Sequence, residues 1–144
     1  MSLPEKEWKA IMKKVTMVVV DGILIENKSI LMVKRTTKPF LGYYALPGGF
    51  VEYKETVEKA VSREVWEETG LRTRITGLLG VYSNPERDPR GHTVSVTFLL
   101  ERTGGEIKNS NETTDVKFIP IKNLPKKIAF DHRNIINDAV KKCL

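Results

Sequence analysis

Cysteine is nearly absent, no apolar run is long, and the first residues lack the makings of a secretory signal. Cys143 is the single thiol, which excludes an internal disulfide and a cysteine-based metal site and makes a reducing cytoplasm the expected compartment. The longest apolar stretch, Val15 to Ile25, is broken by Asp21 and Gly22 and falls short of the roughly 20 residues a spanning helix needs. Glu5, Lys6, Glu7 and Lys9 stand where the apolar core of a signal would lie. What is present is ordinary for a folded domain. The chain has 144 residues, 40% hydrophobic and 29% charged, enough for one core and too few for a second catalytic domain.

The charge is unevenly placed. A formal net charge of +6 and a sequence pI near 9.4 raise the question of nucleic-acid binding. Between Gly49 and Leu71, however, Glu52, Glu55, Glu58, Glu64, Glu67 and Glu68 face only Lys54, Lys59 and Arg63. An anionic patch inside a cationic protein suits a bound cation whose anionic ligand is held by surrounding Lys and Arg. Metal plus phosphate is an economical reading, and specific nucleic acid and membrane are not expected as partners.

Residues 1–13 read as a leader or short helix and 14–144 as a single domain. Val15 to Ile25 and Ser29 to Arg35 are β-rich runs joined at Glu26-Asn27-Lys28, a hairpin signal, and their near-continuous apolarity predicts a sheet covered on both faces. Thr36 to Gly49 reads as a loop ending in Leu46-Pro47-Gly48-Gly49. Thr56 as N-cap and Gly70 as stop predict a helix over 57–69. Strands follow over 72–82, 92–101 and 116–120, with a polar turn over 83–91 and another at Thr103-Gly104-Gly105. Ile135, Ile136, Ala139, Val140 and Cys143 form the stripe of a last helix capped by Asp131. The alternation predicts an α/β fold, a mixed sheet between helices.

The helix over 57–69 carries the chemistry. At about 100° per residue Glu68 falls inside the arc marked by Val57, Val61 and Val65, Glu64 lies at its edge, and Glu67 and Arg63 lie outside. A carboxylate on the core side of a helix is costly unless paired or metal-bound, and two of them one turn apart also repel. A divalent metal resolves both problems. Glycines just before such a helix allow backbone to approach a cation or phosphate closely.

Gly49, five residues, Glu55, seven residues, then Arg63-Glu64-Val65-Trp66-Glu67-Glu68-Thr69-Gly70-Leu71 resembles the Nudix box, with every defining position filled. The resemblance covers most of the chain and implies an α/β/α sandwich with a mixed central sheet. It also implies a metal-dependent hydrolase of nucleoside diphosphates linked to another group. By the same resemblance Glu67 and Glu68 look like the core Mg²⁺ ligands, with Mn²⁺ as a substitute, and Glu64 like a ligand or the general base. Arg63 resembles the arginine that orients these glutamates, Glu55 its acidic partner and the Gly48 carbonyl a further ligand. Glu52 is a second-tier candidate, and Glu112 stands in a loop where many family members carry another acid.

Substrate choice is read outside the box. The segment from Tyr82 to His92, with Pro85 at its start, and Ala129-Phe130-Asp131-His132 resemble the ADP-ribose pyrophosphatases of the family. That makes the cleavage of ADP-ribose to AMP and ribose 5-phosphate the leading expectation. Lys54 and Tyr44 depart from the pattern, standing where Gly and Trp are frequent. Arg35, Tyr44, Arg87 and Arg90 are the candidate substrate contacts, against a competing reading in which such side chains only cover surface or core. His92 and His132 read as capping or solvated. One alternative is a MutT-type nucleoside triphosphate pyrophosphatase that sanitises nucleotides, another a Nudix-like module that senses its ligand without turnover. A homodimer is compatible with either.

Overall fold

The structure is a computed structural model that describes residues 3–144, so the first two residues of the expected leader lie outside it. The hairpin forms where the sequence places it. Strand β1 (Met17–Glu26) turns through Asn27 and Lys28, both at positive φ, into strand β2 (Ser29–Arg35). Two successive positive-φ residues give the turn whose twist matches antiparallel strands.

Thr36 to Gly49 is not all loop. It holds two short strands, β3 (Tyr44–Ala45) and β4 (Gly48–Phe50), separated by Leu46-Pro47. Strand β4 pairs with β1, Gly48 opposite Asp21, and a Cβ on Gly48 would lie 2.1 Å from the Val20 carbonyl oxygen. Only glycine permits that approach.

Helix α2 (Val57–Thr69) has the predicted bounds. Thr56 accepts a hydrogen bond from the Lys59 N–H at 3.2 Å, and Gly70 ends the helix at φ 79° with its N–H on the Trp66 carbonyl. Strands β5 (Leu71–Tyr82), β6 (Thr93–Gly105) and β7 (Thr113–Pro120) follow. Thr103-Gly104-Gly105 is therefore the end of β6 rather than a turn. Gly104 pairs with Arg72, and Gly105 pairs with Leu71 because only bare backbone can pass the Gly70 carbonyl oxygen, 2.3 Å from where a Cβ would lie.

The strand order is β3-β2-β1-β6-β5, with β4 also on β1 and β7 also on β2. Strand β1 runs parallel to β6 and every other pairing is antiparallel, so the sheet is mixed. Successive residues of β2 serve opposite faces. Leu31 and Val33 join Val20, Leu24, Val61 and Val65 under α2, while Ile30 and Met32 join Ile23, Ile135, Ile136 and Ala139 under helix α3 (His132–Cys143). Each fully buried aliphatic side chain contributes about 1.5 to 3 kcal/mol, which makes the two faces the main stabilising term. Helix α1 (Glu5–Met12) leads into β1, with Met12 buried. Among the described residues no helix is long and apolar enough to cross a membrane.

Candidate active site

Because Ala60, Val61 and Val65 hold α2 against the sheet, Glu64 and Glu68 reach a cavity of about 390 Å³ at the boundary of the core. Both residues are only 9% exposed. The Gly48 N–H donates to Glu68 Oε1 at 2.8 Å, and the Thr113 hydroxyl donates to the Glu68 carbonyl at 2.7 Å. A Cβ on Gly49 would lie 2.6 Å from the Glu64 carboxyl carbon, so the Gly-Gly pair is what lets the strand seat against both glutamates. Burial pushes the Glu64 carboxyl up to about 7 against the pull of Arg63. It raises Glu68 well above the usual carboxylate range, with the charges of Glu64, Glu112 and Asp21 adding to the effect and the Gly48 N–H opposing it. Two desolvated carboxylates beside a bare backbone form an all-oxygen donor set of the kind a hard divalent cation takes.

Arg63 organises the acids around it. Its Nε and one terminal nitrogen grip Glu55 at 2.7 and 2.9 Å, and the same terminal nitrogen reaches the Phe50 carbonyl at 3.1 Å. The other terminal nitrogen donates to Glu64 at 2.8 Å and Glu67 at 3.2 Å. The guanidinium holds the Glu55 carboxyl below its usual range, and Glu52 lies 3.8 Å from it. Glu67 is half exposed and turned toward Arg63 instead of the cavity wall. Glu112 borders the cavity from the loop before β7. Among the described residues no group of three carboxylate, imidazole or thiol side chains is already gathered to hold a metal ion.

The opposite wall is cationic and aromatic. Arg35 donates from Nε to the Pro39 carbonyl at 2.7 Å and lays its guanidinium over Phe130, 5.1 Å from the ring centre. Arg90 lies over Phe130 at 5.5 Å and Phe50 at 5.0 Å, with a two-point grip on Asp88. Burial and the neighbouring Arg90 lower the proton affinity of Arg35.

Two expected substrate contacts are engaged by neighbouring acids, although Arg87 still borders the cavity. Arg87 is buried, donating twice to Asp131 at 3.0 and 2.8 Å and once to Thr93 at 2.6 Å, so it anchors the 83–92 loop to the start of α3. Asp131 is accordingly no side-chain cap, since its carboxylate is taken by Arg87. The Tyr44 hydroxyl is bound to Asp115, Lys34 and Lys117 sit over its ring, and it is not among the cavity-lining residues. His132 is 4% exposed rather than solvated.

Sequence reasoning passed over Trp8, Asp21, Phe50 and Phe130, all of which border the cavity. Trp8 packs edge-on against Phe50 at 5.0 Å, which makes α1 part of the wall. Asp21 had a signal, a charge inside a buried strand. Phe130 had none.

A family model described as the NUDIX domain matches residues 15–139. The chain is 52% identical over 124 residues to a protein named ADP-ribose pyrophosphatase from Methanocaldococcus jannaschii, covering 86% of this chain and 73% of that one. It is 33% identical over 117 residues to a putative 8-oxo-dGTP diphosphatase from Bacillus subtilis, covering 81% and 74%. Among solved structures, a bifunctional NMN adenylyltransferase/ADP ribose pyrophosphatase from Francisella tularensis aligns with a TM-score of 0.79 at 31% identity, over 97% of this chain and 45% of that one. A MutT NUDIX hydrolase from Burkholderia pseudomallei aligns with a TM-score of 0.78 at 25% identity, over 87% and 98%. With the box complete, the glutamate pair seated on its glycines and the domain matched over nearly its whole length, the chain belongs to the Nudix family.

Proposed function

We propose that the protein hydrolyses ADP-ribose to AMP and ribose 5-phosphate, dependent on Mg²⁺ with Mn²⁺ as a substitute. The observation that carries the chemistry is the Glu64–Glu68 pair, nine-tenths buried and closed against Gly48-Gly49 at the cavity. The relative at 52% identity, named for ADP-ribose, supports the substrate. Glu64, Glu67, Glu68 and the Gly48 carbonyl would hold the ion, Glu67 by turning away from Arg63. Held there, such an ion would supply charge neutralisation of the diphosphate and a lowered pKa for an attacking water.

The chain's own residues do the rest. Glu64 or Glu112 takes the proton of the water as its oxygen bonds to phosphorus and the bridging P–O bond breaks, which leaves one phosphate on each product. Arg63, held by Glu55, fixes the direction of Glu64. Arg35 and Arg90 face the charge that builds on the leaving phosphate. The partner is a small anionic nucleotide, with no specific nucleic acid and no membrane. A single catalytic domain over 14–144, a cytoplasmic location and a homodimer complete the proposal.

One observation favours a MutT-type triphosphate pyrophosphatase instead. Arg87 and Tyr44, two of the four side chains expected to read ADP-ribose, are engaged by Asp131 and Asp115. Chromatography of products formed from ADP-ribose and from nucleoside triphosphates, with Mg²⁺ and then with a chelator, decides between them. AMP and ribose 5-phosphate, lost on chelation, support the proposal. Pyrophosphate from a triphosphate without ADP-ribose turnover replaces it, and tight ADP-ribose binding without products points to a sensing module.

A further inference from the structure

His132 opens α3 and is buried at the cavity wall, where the Leu46 N–H lies 3.0 Å from its Nδ1. A backbone N–H can only donate, so Nδ1 is the acceptor and the ring proton sits on Nε2. That nitrogen faces Asp21 Oδ1 at 3.4 Å. The other oxygen of Asp21 accepts from the Ser95 hydroxyl at 2.5 Å, and Ser95 is bonded in turn to Thr97 at 2.9 Å. Arg87 stands 3.9 Å from Asp21 while gripping Asp131, the residue before His132. Burial lowers the proton affinity of the imidazole, and Arg87 and Arg35 oppose the upward pull of Asp21 and Asp131.

All these ties converge on one stretch of backbone. Leu46 lies two residues before Gly48, and Asp21 is the ladder partner of Gly48. The Gly22 N–H holds the Pro47 carbonyl at 2.9 Å, and a Cβ on Gly48 would come within 2.6 Å of Asp21 Oδ1. The Gly48 N–H is the group that aims Glu68. Ile135, Ile136 and Ala139 pack α3 into the core, while the imidazole bonds to the Leu46 backbone instead.

We propose that His132 is a positioning residue for the hydrolysis: its Nδ1 fixes the Leu46–Gly48 backbone on which Glu68 is aligned, and Asp21 locks its tautomer from the other side. The role rests on the hydrolase reading of the site, but its test does not depend on turnover alone. In His132→Asn the short amide can present its oxygen near the place of Nδ1 and accept from Leu46 without reaching Asp21. In His132→Gln the longer amide reaches Asp21 and leaves the Leu46 N–H without an acceptor. With similar losses in Tm, His132→Gln should lose kcat by about 10- to 100-fold with KM little changed, and His132→Asn should stay at least about tenfold above it.

Amide hydrogen exchange at Leu46 should speed up in His132→Gln and not in His132→Asn, and the rise in Tm on adding Mg²⁺ should shrink only in the former. Equal kcat in the two variants, or unchanged Leu46 exchange in His132→Gln, overturns the proposal. On the unsubstituted protein, nitrogen NMR of the ring should show the proton on Nε2 near neutral pH. A proton on Nδ1 overturns the proposal without any variant. If the protein turns over no nucleotide at all, the functional reading fails, while tautomer and exchange still decide the role of His132.

Discussion

A carboxylate at position 68 is kept against its own solvation. It is nearly sealed from water, accepts one N–H from Gly48 and shares its surroundings with the charges of Glu64, Glu112 and Asp21. Glu68→Gln retains shape and the Gly48 bond while removing the charge. Turnover should collapse, the metal-free protein should melt higher, and Mg²⁺ should lift the Tm less than in wild type by mass action. Activity within about threefold of wild type, under about 0.7 kcal/mol of barrier, would show that Glu68 holds no metal. The two arginines of the 83–92 loop should be told apart by the turnover of the folded fraction. Arg87→Ala strands Asp131 and Asp21 and should cost about 3 to 5 kcal/mol of stability in urea unfolding. Arg90→Ala leaves the buried Asp88 carboxylate without its guanidinium partner, so it should also cost stability, and it should lower kcat/KM by about 1.5 to 3 kcal/mol as its charge is lost from the substrate phosphate. The box residues were legible because their spacing lies within one short stretch of chain, most of it helix α2. The task of Arg87 was not, since its partner Asp131 is 44 residues away and only the fold brings them together.

At the scale of elements, legibility followed local chemistry. Helix α2 could be bounded to the residue because Thr56 and Gly70 act within their own turn. Gly70→Ala should cost about 2 kcal/mol or more, since φ 79° is unfavourable for alanine and its Cβ would lie 2.3 Å from the Glu106 carbonyl oxygen. A thermal melt measures it, and a loss below about 0.5 kcal/mol would mean that the corner relaxes. Strands β3 and β4 escaped the sequence reading because they are two and three residues long and exist only through pairing with β2 and β1. Lys54 adopts φ 67° by itself, so the turn keeps a glycine-like path despite the larger residue. Asp131 stands at the N-cap of α3 as expected, but its carboxylate answers a distant arginine instead of capping its own helix.

Taken whole, the molecule gathers acids at the helix α2 site, while its lysines and arginines are scattered along the chain rather than massed in one run, a few of them paired, as in Arg74 with Glu101, Arg102 with Glu26 and Lys9 with Glu5. Duplex DNA of mixed sequence should therefore bind no tighter than about 10⁻⁴ to 10⁻⁶ M at physiological salt, as measured by fluorescence anisotropy. Nanomolar binding with sequence preference would reassign the basic surface. The sheet has a further consequence, in time rather than space. Strand β1 finds its parallel partner only in β6, Met17 beside Thr93 and Leu24 beside Leu100, so the centre of the protein is built from strands more than half the chain apart. Such a topology folds slowly, in milliseconds to seconds, because a long loop must close first. During translation β1 leaves the ribosome well before β6 has been made, and the apolar edge of Val18 to Leu24 waits without its neighbour. Nascent chains stopped before Thr93 should consequently aggregate or bind chaperones, and those that extend past Gly105 should be released from them.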